Sequence, residues 1–232
     1  MERPRVLILR HEEATPPGLI TPWLESLSME AEELRIDLED REIDPSSYQL
    51  LVSLGSEHAA YDDSLALVQR GKRLFTRAIE CDVPVLGLCF GGQLVARVLG
   101  AEVFRAKEAE IGWLPVRSLD PEFVGSGPWL QWHSDTFSLP PQARLLADST
   151  VGPQVFSQGR SLGVQFHPEV TPEIIEVWVR VYRHELDAEG VDPDQLLVET
   201  KQLAAEVQAT ARRLLDHFVQ DALRMGVVHG GR

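Results

Sequence analysis

A Gly-x-Cys-x-Gly elbow constrains this chain more than any other feature. The apolar run Val85-Leu86-Gly87-Leu88 leads into Cys89-Phe90-Gly91-Gly92-Gln93, and Leu94, Val95, Val98 and Leu99 follow at helical spacing up to Gly100. That order reads as strand, sharp turn and helix, with a thiol at the apex. The glycines suit a backbone folded too tightly for a Cβ on either side of the cysteine. A helix N-terminus also favours thiolate over thiol through its unpaired N–H groups and its dipole. The competing reading is a buried core cysteine before an ordinary helix, and Gly87, Gly91 and Gly92 weigh against it.

Around the elbow, strands alternate with helices. Val6 to Leu9 is a continuous apolar run, as in a strand buried on both faces of a parallel sheet. Leu19 to Leu27 fits a helix, residues 34–38 a second strand, residues 48–54 a third closed by Gly55, and Asp63 to Ile79 a long helix. This spacing predicts βαβ units in an α/β fold, a doubly wound, flavodoxin-like and mostly parallel sheet. Functional groups then belong beyond the C-terminal strand ends, where His11-Glu12-Glu13, Gly55-Ser56-Glu57-His58 and Cys89 all lie. From about Ala101 to Phe166 the pattern changes to short strands at 102–104, 113–116, 129–132, 144–147, 154–156 and 162–166, read as an antiparallel extension at the sheet edge.

Thr171-Pro172-Glu173 is a helix start, predicting a helix from Pro172 to about Leu186. Asp192-Pro193 repeats the signal, and Leu196, Leu197, Leu203, Val207, Ala211, Leu214, Leu215, Phe218, Val219, Ala222 and Leu223 then form one stripe. The stripe spans a helix of roughly 30 residues, about 45 Å long. Residues 1–190 are therefore read as one α/β domain. Residues 191–232 are read as a helical extension packed on that domain or at an oligomer interface, with a frayed tail from Val227.

Composition narrows the function. The chain has 232 residues and a net charge of −14, with no Lys/Arg cluster, which argues against nucleic acid and anionic membranes as partners. The N-terminus lacks the pattern of a signal peptide, and no apolar run approaches the roughly 18 residues of a membrane span. Cys81 and Cys89 are too few for a disulfide scaffold. A cytoplasmic protein in a reducing compartment is expected. His11-Glu12-Glu13 offers metal-ligand residue types, but adjacent loop positions chelate poorly, so neither a metal nor another cofactor is expected.

A nucleophilic thiol needs a base, and the base needs an orienting group. Val164-Gln165-Phe166-His167-Pro168-Glu169-Val170 supplies both. Pro168 drives His167 into the extended region, and residues two apart then face the same side, so Glu169 can return to the His167 imidazole. A structural His-Pro-Glu turn is the competing reading.

Gly-Leu-Cys-Phe-Gly-Gly-Gln at 87–93 with Gln-Phe-His-Pro-Glu-Val at 165–170 resembles the class I (triad) glutamine amidotransferases, most closely proteins similar to the amidotransferase domain of GMP synthase. Glu110-Ile111-Gly112-Trp113, residues 132–137 and Tyr61-Asp62-Asp63 also look like that group's motifs. The resemblance implies Cys89 as nucleophile on a glutamine side-chain amide, His167 as base and acid, and Glu169 as orienter. It implies an oxyanion hole from the N–H groups of Phe90 and of the turn at Gly55-Ser56. Gln93 would lie on the substrate side of the pocket, and the backbone of His133, Ser134 and Asp135 would hold the α-groups of the amino acid. For His133 and Asp135 a structural turn is an equal alternative. Where the family carries Gly-Gly-Pro, this chain has Gly55-Ser56-Glu57, which puts a side chain at the donor position and an acid beside the developing charge. With no ATP-binding segment in the sequence, a synthase would be a separate chain. Three functions fit: a glutaminase supplying ammonia, a γ-glutamyl peptidase or hydrolase using the same thioester, or a binding or regulatory homologue with weak turnover.

Overall fold

In the computed structural model, residues 3–229 are described, with side chains of the last helix described through residue 222. The chain runs β1 (Arg5–Arg10), α1 (Ile20–Ser26), β2 (Glu30–Arg35), β3 (Leu50–Ser53), α2 (Ala66–Glu80), β4 (Val85–Leu88) and α3 (Phe90–Val98). It continues as β5 (Val103–Leu114), β6 (Arg117–Ser118), β7 (Trp129–Phe137), β8 (Arg144–Asp148), β9 (Pro153–Gln158) and β10 (Ser161–Val164), then α4 (Pro172–Val181), α5 (Arg183–Glu189) and α6 (Pro193–His229).

Eight strands form one sheet in the order β2-β1-β3-β4-β10-β9-β8-β6. The first five pair in parallel, in the flavodoxin-like order, and the last three extend the edge antiparallel. The fold is therefore α/β and doubly wound. β1 shows why the run Val6 to Leu9 is uniformly apolar. Val6 and Ile8 pack into a layer with Trp23 and Leu24 of α1 and Leu214 and Phe218 of α6, while Leu7 and Leu9 pack on the opposite face with Phe75 of α2 and Leu94 of α3. A strand covered on both faces leaves no place for alternating polar residues.

Several expected boundaries move. The second strand is residues 30–35, not 34–38, in parallel register with β1 from Arg5↔Glu30 to Arg10↔Arg35. As an edge strand it carries Glu30, Glu32 and Glu33, and Arg5 and Arg10 pair with Glu32 and Glu33, so no apolar pattern marks it. In place of separate strands at 102–104 and 113–116 there is one twelve-residue strand, β5, which pairs with β7 in a separate two-stranded ribbon; a register shift between Arg105 and Glu110 interrupts it. The run at 162–166 is not part of the antiparallel extension but pairs in parallel with β4 at the sheet centre.

The helix expected from 172 to 186 breaks at Tyr182, whose φ of −104° and ψ of 27° leave helical geometry, and α5 then ends at Gly190 with φ 68°. Asp192 caps α6 by accepting from the Asp194 N–H at 2.9 Å. Val207, Ala211, Leu214, Leu215, Phe218 and Ala222 of the stripe are buried, and the last five of these join the core layer that contains β1 and α1. The expected frayed tail is helical over residues 227–229, and residues 230–232 lie outside the described residues. Among the described residues no helix is long and apolar enough to cross a membrane.

Candidate active site

β4 ends at Leu88, and the next residue turns the chain sharply. Cys89 has φ 50° and ψ −110°, a backbone conformation that a residue with a Cβ rarely adopts, at the N-cap of α3. The elbow glycines answer to contact: a Cβ on Gly91 would sit 2.3 Å from the Ser53 carbonyl oxygen, and one on Gly87 would sit 2.4 Å from that of Gly91. The Cys89 N–H donates to the Val164 carbonyl at 2.7 Å, and Leu88 stands opposite Val164 in the parallel ladder. The chain leaving β10 therefore emerges beside the thiol.

Extended geometry over Gln165, His167 and Glu169 does the rest. The Gln165 and His167 N–H groups donate to the Gln154 and Leu130 carbonyls at 2.7 and 2.9 Å, fixing this segment between β9 and β7. His167 Nδ1 and Glu169 Oε1 are 2.8 Å apart, with side chains 3% and 2% exposed. A Cβ on Gly55 would lie 3.1 Å from His167 Cε1, tighter than ordinary contact, so the imidazole would have to give by a few tenths of an ångström. The Trp178 ring meets the imidazole edge-on, with centroids 4.8 Å apart. Burial alone disfavours an imidazolium. The Glu169 carboxylate and the Cys89 sulfur outweigh it, so the His167 pKa rises to about 10.

The turn after β3 accommodates its departure from Gly-Gly-Pro. The Ser56 hydroxyl points along the loop and accepts the His58 N–H at 3.2 Å, while the Glu57 N–H donates to Glu12 Oε1 at 2.7 Å. No hydrogen bond among the described residues uses the Ser56 N–H. Phe90 is the first residue of α3, in the turn where backbone N–H groups lack helical partners.

Gln93, His133, Ser134 and Asp135 line the same cleft as Cys89 and His167, which has a volume of about 380 Å³. His133 lies in β7, its Nδ1 donating to the Asp135 carbonyl at 2.9 Å and its Nε2 3.1 Å from Glu110 Oε2. Burial opposes the Glu110 charge, but His133, Ser149 and Gln154 hold its carboxyl below the usual range. Gln93 Nε2 donates to the Asp135 carbonyl at 3.3 Å and to Gln165 Oε1 at 3.2 Å, and Gln165 Nε2 lies 3.6 Å from the Cys89 sulfur. Among the described residues, the buried Asp135 Oδ1 has no hydrogen-bond partner. Burial raises its carboxyl, and Arg105 Nη1 lies 3.8 Å away.

His11, Glu12 and Glu13 diverge. His11 is buried against the Phe90 ring with Nε2 2.9 Å from Ser53 Oγ, Glu12 reaches the cleft, and Glu13 pairs with Arg35. Asp63 ties the start of α2 to Arg97 of α3 at 2.9 Å and stays outside the cleft. Trp178, Tyr182 and Glu185 line the cleft although sequence reading did not single them out, while Glu110 and Gln165 stood inside the motifs at 110–113 and 165–170 with no role given to either. Gln165 had a signal, because the two-residue period linking His167 to Glu169 also selects it.

A family model for class-I glutamine amidotransferases matches residues 19–176. One component of the GMP synthase (glutamine-hydrolyzing) of Sulfolobus acidocaldarius is 41% identical over 108 residues, covering 42% of this chain and 57% of that protein. The corresponding GMP synthase component of Pyrococcus furiosus is 36% identical over 100 residues, covering 39% of this chain and 53% of that protein. The matched stretch thus spans little more than half the length of these curated relatives. The crystal structure of a glutamine amidotransferase from Thermotoga maritima superposes with a TM-score of 0.86 at 30% identity, covering 94% of this chain and 99% of that one. Over more than half its length the sequence fits the family model, and it shares the fold of a solved member: the chain belongs to the class-I glutamine amidotransferase family.

Proposed function

We propose that this chain hydrolyses the side-chain amide of glutamine to glutamate and ammonia through a γ-glutamyl thioester on Cys89. The observation that carries the reading is the strained, positive-φ Cys89 beside a buried His167–Glu169 pair at 2.8 Å, in one cleft. The Cys89 sulfur attacks the amide carbon, and His167 transfers a proton to the nitrogen as the C–N bond breaks. Water then attacks the thioester, giving its proton to His167, and the sulfur departs. Glu169 holds the imidazole by Nδ1, so that Nε2 serves the reaction.

The developing oxyanion falls to the N–H groups of Ser56 and Phe90. Each such donor is worth about 10² to 10³ in rate. Because the Ser56 hydroxyl is spent on His58 and the Glu57 N–H on Glu12, the Gly-to-Ser departure is compatible with a working hole. Gln93, His133, Ser134 and Asp135 are assigned to substrate binding. The curated relatives include chains named as one component of GMP synthase, and we read the ammonia as passing to an acceptor on a separate chain.

The test is release of glutamate and ammonia from glutamine by the purified protein and by Cys89→Ala. Stoichiometric release by the first and none by the second is expected. Equal release by both would remove Cys89 from the reaction.

A further inference from the structure

Gln165 touches the nucleophilic sulfur yet has no part in the steps above. It directly follows β10, is 0% exposed, and brings its Nε2 to 3.6 Å from Cys89 Sγ. A buried primary amide costs free energy unless its polar atoms find partners. Here Oε1 accepts from Gln93 Nε2 at 3.2 Å, which leaves Nε2 for the sulfur.

The surrounding hydrogen bonds decide which end of the amide faces Cys89. The Asp135 carbonyl can only accept, and it takes the His133 Nδ1 at 2.9 Å and the Gln93 Nε2 at 3.3 Å. Gln93, 3% exposed, is thereby turned with its donor end toward both Asp135 and Gln165. Two NH2 groups facing each other would each lack an acceptor. Gln165 must therefore turn its oxygen to Gln93 and its N–H to the thiol.

A neutral thiol has a place for its proton at the Trp132 carbonyl, 3.9 Å from Sγ. A thiolate gains nothing from that oxygen and needs donors instead. His167 hydrogen-bonds the sulfur from one side. Gln165 is placed as a second donor, and a hydrogen bond to a charged acceptor is about twice as strong as one to a neutral one.

Resting on the reading of Cys89 as the nucleophile, we propose that Gln165 is a further catalytic residue, whose Nε2–H donates to the Cys89 thiolate and whose orientation is fixed by Gln93 hung on the Asp135 carbonyl. The contact acts twice in one turnover. Before attack, the thiol proton passes to His167 and the sulfur charge is shared with the Gln165 N–H. When water replaces the sulfur at the thioester, the S–C bond breaks, its electron pair returns to sulfur, and the same N–H receives the departing thiolate.

Two variants of similar size test this. Gln165→Met removes the donor. Gln165→Glu keeps the shape and the acceptor facing Gln93 but also removes the amide donor, so a merely structural link to Gln93 would survive in it. With glutamine, both should lose about 10- to 100-fold in kcat while KM stays within about twofold. The second readout needs no substrate: iodoacetamide labelling of the Cys89 peptide against pH, followed by mass. Labelling follows the thiolate, and loss of a donor disfavours the thiolate, so the acid limb should move up by about one pH unit, the equivalent of tenfold, in both variants. His167 with Glu169 behind it, and Glu12, Arg105, His133 and Asp135 of the cleft wall, are the same in all three proteins. An acid limb unmoved in Gln165→Met, or Gln165→Glu with the limb and kcat of the unaltered protein, would overturn the proposal. An unaltered protein silent on glutamine would count against the glutaminase reading, and the labelling limb would still decide the part played by Gln165.

Discussion

Cys89 and His167 are set by backbone before any side chain acts. The elbow holds the sulfur at the start of α3, and β10 delivers the imidazole from the neighbouring parallel strand. His167→Ala should lower kcat by about 10² to 10⁴ with glutamine. Glu169→Gln should lose about 10- to 100-fold less, since it orients the base without replacing it, a comparison that steady-state kinetics on the two variants decides. The His167 pKa of about 10 also sets a pH signature. The alkaline limb of kcat/KM should lie near pH 10, and Glu169→Gln should move it down. For stability, a histidine raised in the folded state from 6.5 to about 10 stabilises fully below pH 6.5, and that contribution fades as pH climbs toward 10. His11 works in the opposite sense: burial lowers it to about 3, so its contribution is present above pH 6.5 and is lost as pH falls toward 3. Urea midpoints against pH should therefore show His11→Asn flattening the acid side only. The proposed triad was legible in the sequence because glycines mark the elbow and a two-residue period links His167 to Glu169. Tyr182 and Glu185 were not, because no local pattern says that α5 folds back over the thiol.

The elements were legible where burial imposes a pattern and obscure where it does not. β1, α2, α3 and α6 declare themselves through apolar runs or stripes, but β2 is a charged edge strand whose partner is fixed by the ladder with β1. Likewise, β10 reads as one more short strand, and only its long-range pairing with β4 puts it at the centre. On α6, Phe218 is 3% exposed in the layer with β1 and α1, and Trp23 Nε1 donates to Asp216 at 2.9 Å. Phe218→Ala should destabilise the protein by about 3–5 kcal/mol in chemical denaturation. A loss near zero would mean that α6 contributes little to the stability of the α/β core. At the elbow, Gly91→Ala drives a Cβ to 2.3 Å from the Ser53 carbonyl oxygen, and backbone must shift to relieve it. Turnover should fall even where circular dichroism shows a folded protein, because the shift displaces the sulfur.

For the whole molecule, the parallel strands gather their exits at one end of the sheet, and residues from the β1, β3, β4 and β10 exits meet there with β7 and α5 around one cleft. The central claim is that Cys89 becomes acylated by the γ-glutamyl group of the substrate. Its most direct test is acid quenching during turnover of glutamine, followed by peptide mass analysis. The expected result is one glutamyl group on the peptide containing Cys89, absent from Cys89→Ala. Steady release of glutamate with no adduct on Cys89, or an adduct on exposed Cys81 instead, would contradict the account.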